Sequence, residues 1–275
     1  MPARSVSSSA LTSAVAGTAA FSKFMCVLQL VADANEPLTP AALVAASGFP
    51  RPTLHRIVAA LLAEGLLRER NGRTTAYELG PRLIQLASRS WGRSDLRLAA
   101  VDELKRLRDL TGETVHLAVP SGQQMVYIEK LESPSAVRMA SRIGAGVALH
   151  STAVGKAYLA ALPDGAREAL LGGLAMPVYT PNTVTTRSAL QTQLETVKAR
   201  GWSVDDEENE AGIYCFGAAV FGGAGEPVAA ISVSTLRFLH KGDLHQACVE
   251  PLLAACRVIS ARIAATPTLA RSDLL

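Results

Sequence analysis

Between Phe21 and Pro81 the sequence runs through a succession that few folds accommodate: an amphipathic helix, a short helix, a proline-opened helix and a basic hairpin. In FSKFMCVLQLV, Phe21, Phe24, Met25, Leu28 and Val31 follow the i, i+3, i+4, i+7 rule, which predicts a helix. In LTPAALVAASGF, Thr39 can cap, Pro40 suits the first helical position and Gly48 can end the helix in a left-handed conformation. Pro52 then opens PTLHRIVAALLAEGLL, with Leu54, Ile57, Val58, Leu61 and Leu62 on one face and Thr53, His55 and Arg56 pointing elsewhere. Two short helices across a glycine-containing turn, the second with a polar and basic leading edge, form a helix-turn-helix that offers a helix to the major groove. Beyond Gly65, LLRERNGRTTAYELG alternates around Asn71-Gly72, a dipeptide suited to a two-residue hairpin turn with positive φ at both central positions. Arg68, Arg70 and Arg73 gather at the tip of this wing, placed to lie along phosphates or enter a minor groove. Arg51, Thr53 and His55 are the expected base-edge contacts, and Arg56 and Arg73 the phosphate contacts. Arg51 precedes Pro52, which leaves its place in the helix open.

A chain of 275 residues suits two domains at about 150 residues each. With 49% hydrophobic and 19% charged residues, the composition excludes a disordered chain. The net charge of +3 is unevenly spread: residues 1–100 hold 11 Lys+Arg against 6 Asp+Glu, and the remainder 16 against 18. The basic excess lies with the helix-turn-helix, as a polyanionic partner requires. Cys26, Cys215, Cys248 and Cys256 show neither a paired spacing nor a nearby histidine, which argues against a disulfide framework or a zinc site. Residues 1–20 are broken by Ser and Thr too often for a secretory signal and read as a disordered tail. No apolar run is long enough to span a bilayer, so a cytoplasmic, reduced protein is expected.

Arg82 to Gly112 reads as a helix, a break near Gly92 and a second helix. Leu83, Leu86, Ala87 and Trp91 there suit either a neighbouring subunit or their own domain, and the residues leave both open. After Gly112 the period changes: ETVHLAVP, MVYIEKLE and AVRMASRI alternate as half-buried antiparallel strands do. Helices follow in STAVGKAYLAALP, near Gly165–Leu171 and in Arg187–Arg200; strands return in WSVDD, IYCFGAAVF and PVAAISVST, and a helix from about Asp243 to Ala264 closes the domain. The expectation is an α+β domain around a mainly antiparallel sheet. The expected boundaries are a tail over 1–20, the winged helix-turn-helix over 21–81, a linker helix over 82–98, the second domain over 99–265 and a tail over 266–275.

Ser151–Gly155 is a candidate anion site. Ser151 or Thr152 can cap a helix whose first turn leaves the amides of Ala153, Val154 and Gly155 unpaired at the positive end of the dipole. A small carboxylate fits there. AVGKA lacks the first glycine of a phosphate-binding loop and the Ser or Thr after its lysine, so Lys156 is expected to pack its stem along the helix with the ammonium at the surface. No nucleophile and base are brought together, since His150 beside Ser151 cannot by adjacency serve it. No enzyme and no cofactor are expected.

The segments SGFPRPTLHRIVAALLAEGLL, LHSTAVGKAYLAALP, RGWSVDDEENEAGIYCFGAAVF and AAISVS, in that order, resemble the IclR family of bacterial transcription regulators. The resemblance implies a winged helix-turn-helix, a linker helix and a GAF-like sensing domain, paired as a homodimer or homotetramer on a palindromic DNA operator. It implies an effector site at the same helix start, lined by Asp205, Cys215, Ser232 and Ser234 with Met139, Val147 and Ile213 as apolar wall. The effector would be a small organic acid, an α-keto acid or an aromatic carboxylate. Ala153 and Val154 stand where the family often has smaller residues, which would narrow that corner. Ser232 and Ser234, two apart in a strand, face one side whatever the family.

The residues alone also permit plainer roles: Ser151 a cap only, Cys215 a buried small hydrophobe, Ser232 and Ser234 satisfying backbone groups, and Asp205–Glu208 a solvated acidic loop. An Asp205 that faced an anionic ligand would accept from a ligand hydroxyl or be partly protonated. Two other functions stay open at this stage: an enzyme of small carboxylates with an added DNA-binding-like domain, and a constitutive DNA-binding protein whose second domain only oligomerises.

Overall fold

The computed structural model describes residues 17–70, 72, 74–91, 95–135, 138–236 and 245–265. The chain divides into two compact units between Arg93 and Ser94, inside the stretch expected to connect them.

The first unit contains α1 (Ala19–Asp33), α2 (Pro40–Ser47), α3 (Arg51–Ala63), β1 (Leu67–Arg70), β2 (Ala76–Leu79) and α4 (Pro81–Trp91). Helix α1 begins at Ala19, two residues before the expected start and inside the tail expected over 1–20; the rest of that tail through residue 16, and the tail expected over 266–275, lie outside the described residues. Thr39 caps α2 by accepting from the Ala42 amide at 3.2 Å, and Gly48 ends it at φ 66°, both as the residue types dictate. Val27, Val31, Leu43, Leu54, Ile57, Val58, Leu61 and Leu67 make one core from all three helices and the first wing strand. The wing is tied back by Leu38, which exchanges backbone hydrogen bonds of 3.0 and 2.8 Å with Tyr77.

The wing departs from expectation at its tip. Strand pairing ends at Arg70↔Ala76, so five residues connect the strands, and Gly72 does not take a positive φ. That register leaves no room for the expected two-residue connection, and the alternation expected through Thr74 and Thr75 does not continue into pairing. Asn71 and Arg73 lie outside the described residues.

The second unit opens with α5 (Asp95–Thr111) and is built on a six-stranded antiparallel sheet in the order β5-β4-β3-β8-β7-β6. Its strands are β3 (Thr114–Ser121), β4 (Gln124–Leu131), β5 (Gly146–Ala148), β6 (Ser203–Asp206), β7 (Ile213–Phe221) and β8 (Pro227–Leu236). Helices α6 (Ala153–Ala161), α7 (Asp164–Gly173) and α8 (Arg187–Arg200) separate β5 from β6. A π-helical turn, His245–Val249, leads into α9 (Glu250–Ala265); the expected start of that helix at Asp243 lies outside the described residues.

Strand alternation sorts the side chains into two cores. Val115, Leu117, Phe216, Ala218, Ile231 and Val233 join α5 and α9 in one cluster. Ala118, Met125 and Ala230 belong to the other, with Val154, Leu159, Leu190 and Leu194 from α6 and α8. His116, Cys215, Ser232 and Ser234 alternate with the first set and so share the second face.

One expected strand is absent. Among the described residues of AVRMASRI, 138–143 form a loop, because the Met139 and Ser141 carbonyls accept from Lys130 Nζ, each at 2.8 Å, instead of from a neighbouring strand. The third strand of that edge is β5, pairing Gly146–Ala148 with β4. Among the described residues no helix is long and apolar enough to cross a membrane, and no cluster of His, Cys, Asp and Glu could hold a metal.

Candidate functional site

The first candidate surface is the outer face of α3. Burying Leu54, Ile57, Val58 and Leu61 turns Arg51, His55 and Arg56 to solvent, with Thr53 half-buried. Arg51 is the first residue of the helix, which places it beside His55 one turn on. In the wing, Arg70 is exposed at the end of β1. Arg68 is exposed too, but it pairs across the strands with Glu78 at 2.8 Å, so contact with a phosphate competes with that carboxylate.

The second candidate is a cavity of about 220 Å³ on the α6 side of the large sheet. It lies below the range of drug-sized ligand sites, which suits a small molecule. Met139, Val147, Ala153, Val154, Asp205, Ile213, Cys215, Ser232 and Ser234 all line it, brought from six separate stretches of chain. Ser151, expected among them, is not in the lining; its hydroxyl donates to Asn209 Oδ1 at 3.2 Å. The cap of α6 is Thr152, whose Oγ1 accepts from the Gly155 amide at 3.1 Å and donates to the Ala148 carbonyl at 2.6 Å. That leaves Ala153 and Val154 as the residues whose amides open the helix beside the cavity.

Thr152, expected as a possible cap of the same helix start, also lines the cavity, as do His116, Tyr127, Ser141, Asn209 and Glu210, which were not anticipated. His116 takes the polar phase of a strand whose neighbours Val115 and Leu117 are both core, as a solvent-facing residue would, so its burial had no local signal. Its Nε2 lies 2.8 Å from Ser141 Oγ, its Nδ1 lies 3.4 Å from both Ser232 Oγ and Ser234 Oγ, and its ring stacks on Tyr127 at 4.5 Å. Burial, helped by Lys130, pulls its pKa down to about 3, so the ring is neutral, with one nitrogen donating and one accepting. Burial likewise pushes the Cys215 thiol and the Tyr127 phenol up, so both keep their protons.

The acidic run is not a solvated loop. Asp205 is 3% exposed and Glu208 5%. Asp205 Oδ1 accepts from the Glu208 amide at 2.8 Å and the Asn209 amide at 3.2 Å, while Thr180 and Thr183 donate to the Glu207 and Glu208 carbonyls, each at 2.6 Å. Burial pushes Asp205 up to about 7, against the lowering by those two amides and by Lys156. Lys156 is equally unlike its expectation. It is 1% exposed, and Nζ bonds Glu208 Oε1 at 2.5 Å and Gln193 Oε1 at 2.9 Å, because the turn after β6 folds over α6. His150 Nε2 donates to the Pro177 carbonyl at 3.1 Å, so it serves no nucleophile at Ser151.

Comparison with known proteins identifies the two units. Residues 22–71 match the IclR helix-turn-helix domain, and residues 89–261 match the C-terminal domain of bacterial transcriptional regulators of the IclR type. The chain is 35% identical over 189 residues to the HTH-type transcriptional regulator XynR of Escherichia coli, covering 69% of this chain and 75% of that protein. The crystal structure of the Thermotoga maritima IclR superposes with a TM-score of 0.70 at 30% identity, covering 89% of this chain and 98% of that one. An IclR homologue from Microbacterium hydrocarbonoxydans, solved with 4-hydroxybenzoate, shares the fold with a TM-score of 0.75 at 24% identity, covering 90% of this chain and all of that one. The chain belongs to the IclR family of bacterial transcription regulators, with an N-terminal helix-turn-helix and a C-terminal effector domain.

Proposed function

We propose that the chain regulates transcription by binding a palindromic operator as a dimer or tetramer, and that a small organic acid in the second unit's cavity changes its grip. The observation that carries the acid is the cavity itself: Ala153 and Val154 at the start of α6 line it together with the buried Ser232 and Ser234, and among the described residues no Lys or Arg lines it. Such a site takes a small anion through helix-end amides and neutral donors. Relatives support the reading, since a protein of this fold was solved with 4-hydroxybenzoate. A thermal-shift screen of α-keto and aromatic acids distinguishes the two classes, since the acid that binds raises the melting temperature. Pairing of subunits is supported by apolar side chains left exposed in the first unit: Phe21 at 65% and Met25 at 44% on α1, Ile84 at 73% and Leu86 at 56% on α4.

Gel-shift titration against DNA upstream of the chain's own gene, with and without candidate acids, tests the whole reading. Specific, salt-sensitive binding that shifts with an acid is expected; its absence would remove the proposal. Arg56→Ala should weaken binding on every sequence and lower the slope of log affinity against log salt by about 1, as loss of one phosphate contact does. His55→Ala should instead relax base preference, at about 1–3 kcal/mol for the position it reads.

A further inference from the structure

We propose that the cavity takes its acid ligand together with one proton, held on Asp205, and that Asp205 thereby selects acids presenting an oxygen able to accept its O–H. The inference rests on the reading of the cavity as an acid site and adds how that site tolerates an anion.

Asp205 lines the small cavity from β6 and is itself buried. One carboxyl oxygen accepts two backbone amides; among the described residues the other has no hydrogen-bond partner. The charged groups around it do not offset burial: Lys156 favours the carboxylate, but burial outweighs it. From α6, Lys156 is bound to Glu208 and Gln193 and does not line the cavity. From the turn after β6 come Glu208, buried, and Glu210, a second carboxyl in the lining. Cys215 on β7 and Tyr127 on β4 are neutral, and His116 on β3 is neutral by burial. Lys130 on β4 is engaged by Glu132 and by two carbonyls of the 138–143 loop.

An acid anion at the amides of Ala153 and Val154 therefore enters a space that already holds a carboxylate, and like charges at such range disfavour one another. One proton from solvent on the free oxygen of Asp205 removes the conflict and turns that oxygen into a donor aimed at the ligand. Burial already holds Asp205 at about 7 without a ligand, so the proton is taken up near neutral pH. An anion beside it raises its proton affinity further.

Calorimetric titration of the full chain with acetate, pyruvate, glycolate and 4-hydroxybenzoate, at about pH 6 and about pH 8 in buffers of differing ionisation enthalpy, tests this. Affinity should fall about tenfold between about pH 6 and about pH 8, in step with the protonated fraction of Asp205. At the higher pH, binding should take up nearly one proton. Asp205→Asn keeps the oxygen that accepts the two amides and offers a permanent N–H, so it should bind at about pH 8 as tightly as the parent binds at about pH 6, with no pH dependence. Equal affinity of the parent at both pH values, with no proton uptake, would overturn the proposal and leave the acid site standing. Weaker binding by Asp205→Asn at every pH would do the same, and would assign the carboxylate to accepting a ligand hydroxyl. Absence of binding by all four acids at either pH would overturn the proposal together with the reading on which it rests.

Discussion

Gly155→Ala should lower the melting temperature of the second unit by about 10 °C, corresponding to a loss of about 4 kcal/mol or more. A methyl group at that position would lie 2.5 Å from the Leu149 Cα and 2.6 Å from the Ala148 and Leu149 carbonyl oxygens. None of these is the end of a flexible side chain, so relief requires the first turn of α6 to back away from the chain that follows β5. Gly217 makes the second half of the same seat: its added carbon would meet the Ala153 carbonyl at 2.5 Å and Ser203 Oγ at 2.6 Å. Gly217→Ala should therefore behave like Gly155→Ala. Ser203 Oγ donates to that Ala153 carbonyl at 2.6 Å, so the helix start is fixed by a hydrogen bond as well as by shape. Gly172→Ala provides the control. It lies in α7 with nothing within 4 Å of the added carbon and no positive φ, and it should raise stability by about 0.5–1 kcal/mol. Thermal unfolding followed by circular dichroism distinguishes the three. A Gly155→Ala protein melting with the parent would mean that α6 is not seated as described. Because Ala153 and Val154 open the cavity from this seat, whatever protein survives either substitution should also lose its response to acids.

These two glycines also show where sequence reasoning stops. Local period and end signals carried much of the architecture: β7 over Ile213–Phe221 and α8 over Arg187–Arg200 emerge with the expected bounds, since apolar alternation and a closing Gly201 at φ 84° are properties of neighbouring residues. Nine of the ten residues expected around the ligand line one cavity, because strand phase puts Ser232, Ser234 and Cys215 on the same face as the start of α6. What failed depended on distant partners. Lys156 read as a surface lysine because its partners lie 37 and 52 positions away. Asp205 and Glu208 read as a solvated run because the threonines and amides that hold their turn belong to other segments or to the turn's own closure. The alternation in AVRMASRI was real, but Lys130 had a prior claim on its carbonyls. Ser151 and Thr152 were equally good caps by type, and only the path after β5 decides for Thr152.

Lys156→Met should cost about 3–5 kcal/mol, the loss that follows when one member of a buried ion pair is removed. Glu208 would keep a carboxyl that is 5% exposed, with Oε1 deprived of its ammonium and Oε2 already lacking a hydrogen-bond partner. The sign of the pH dependence follows. Burial already holds the Glu208 carboxyl above its ordinary range, and removing Lys156 takes away the first of the influences opposing that. A carboxyl raised in the folded state contributes stability below its unfolded pKa and loses it as pH rises through the folded value. The deficit of Lys156→Met should thus be largest at about pH 8 and shrink toward about pH 5, measured as the difference in melting temperature from the parent. Adding Glu208→Met should recover most of the loss at every pH, since replacing a whole buried pair by apolar groups of similar volume is near neutral. If Lys156→Met were as stable as the parent at about pH 8, the ion pair would not be holding this turn. With the turn after β6 held by packing, the double variant should still bind acids; losing Lys156 raises Asp205 and losing Glu208 lowers it, the lysine being the stronger influence, so its affinity should begin to fall at a slightly higher pH than in the parent. Retained acid binding in the double variant would show that Lys156 and Glu208 act chiefly on the fold, reaching the ligand only through the proton affinity of Asp205.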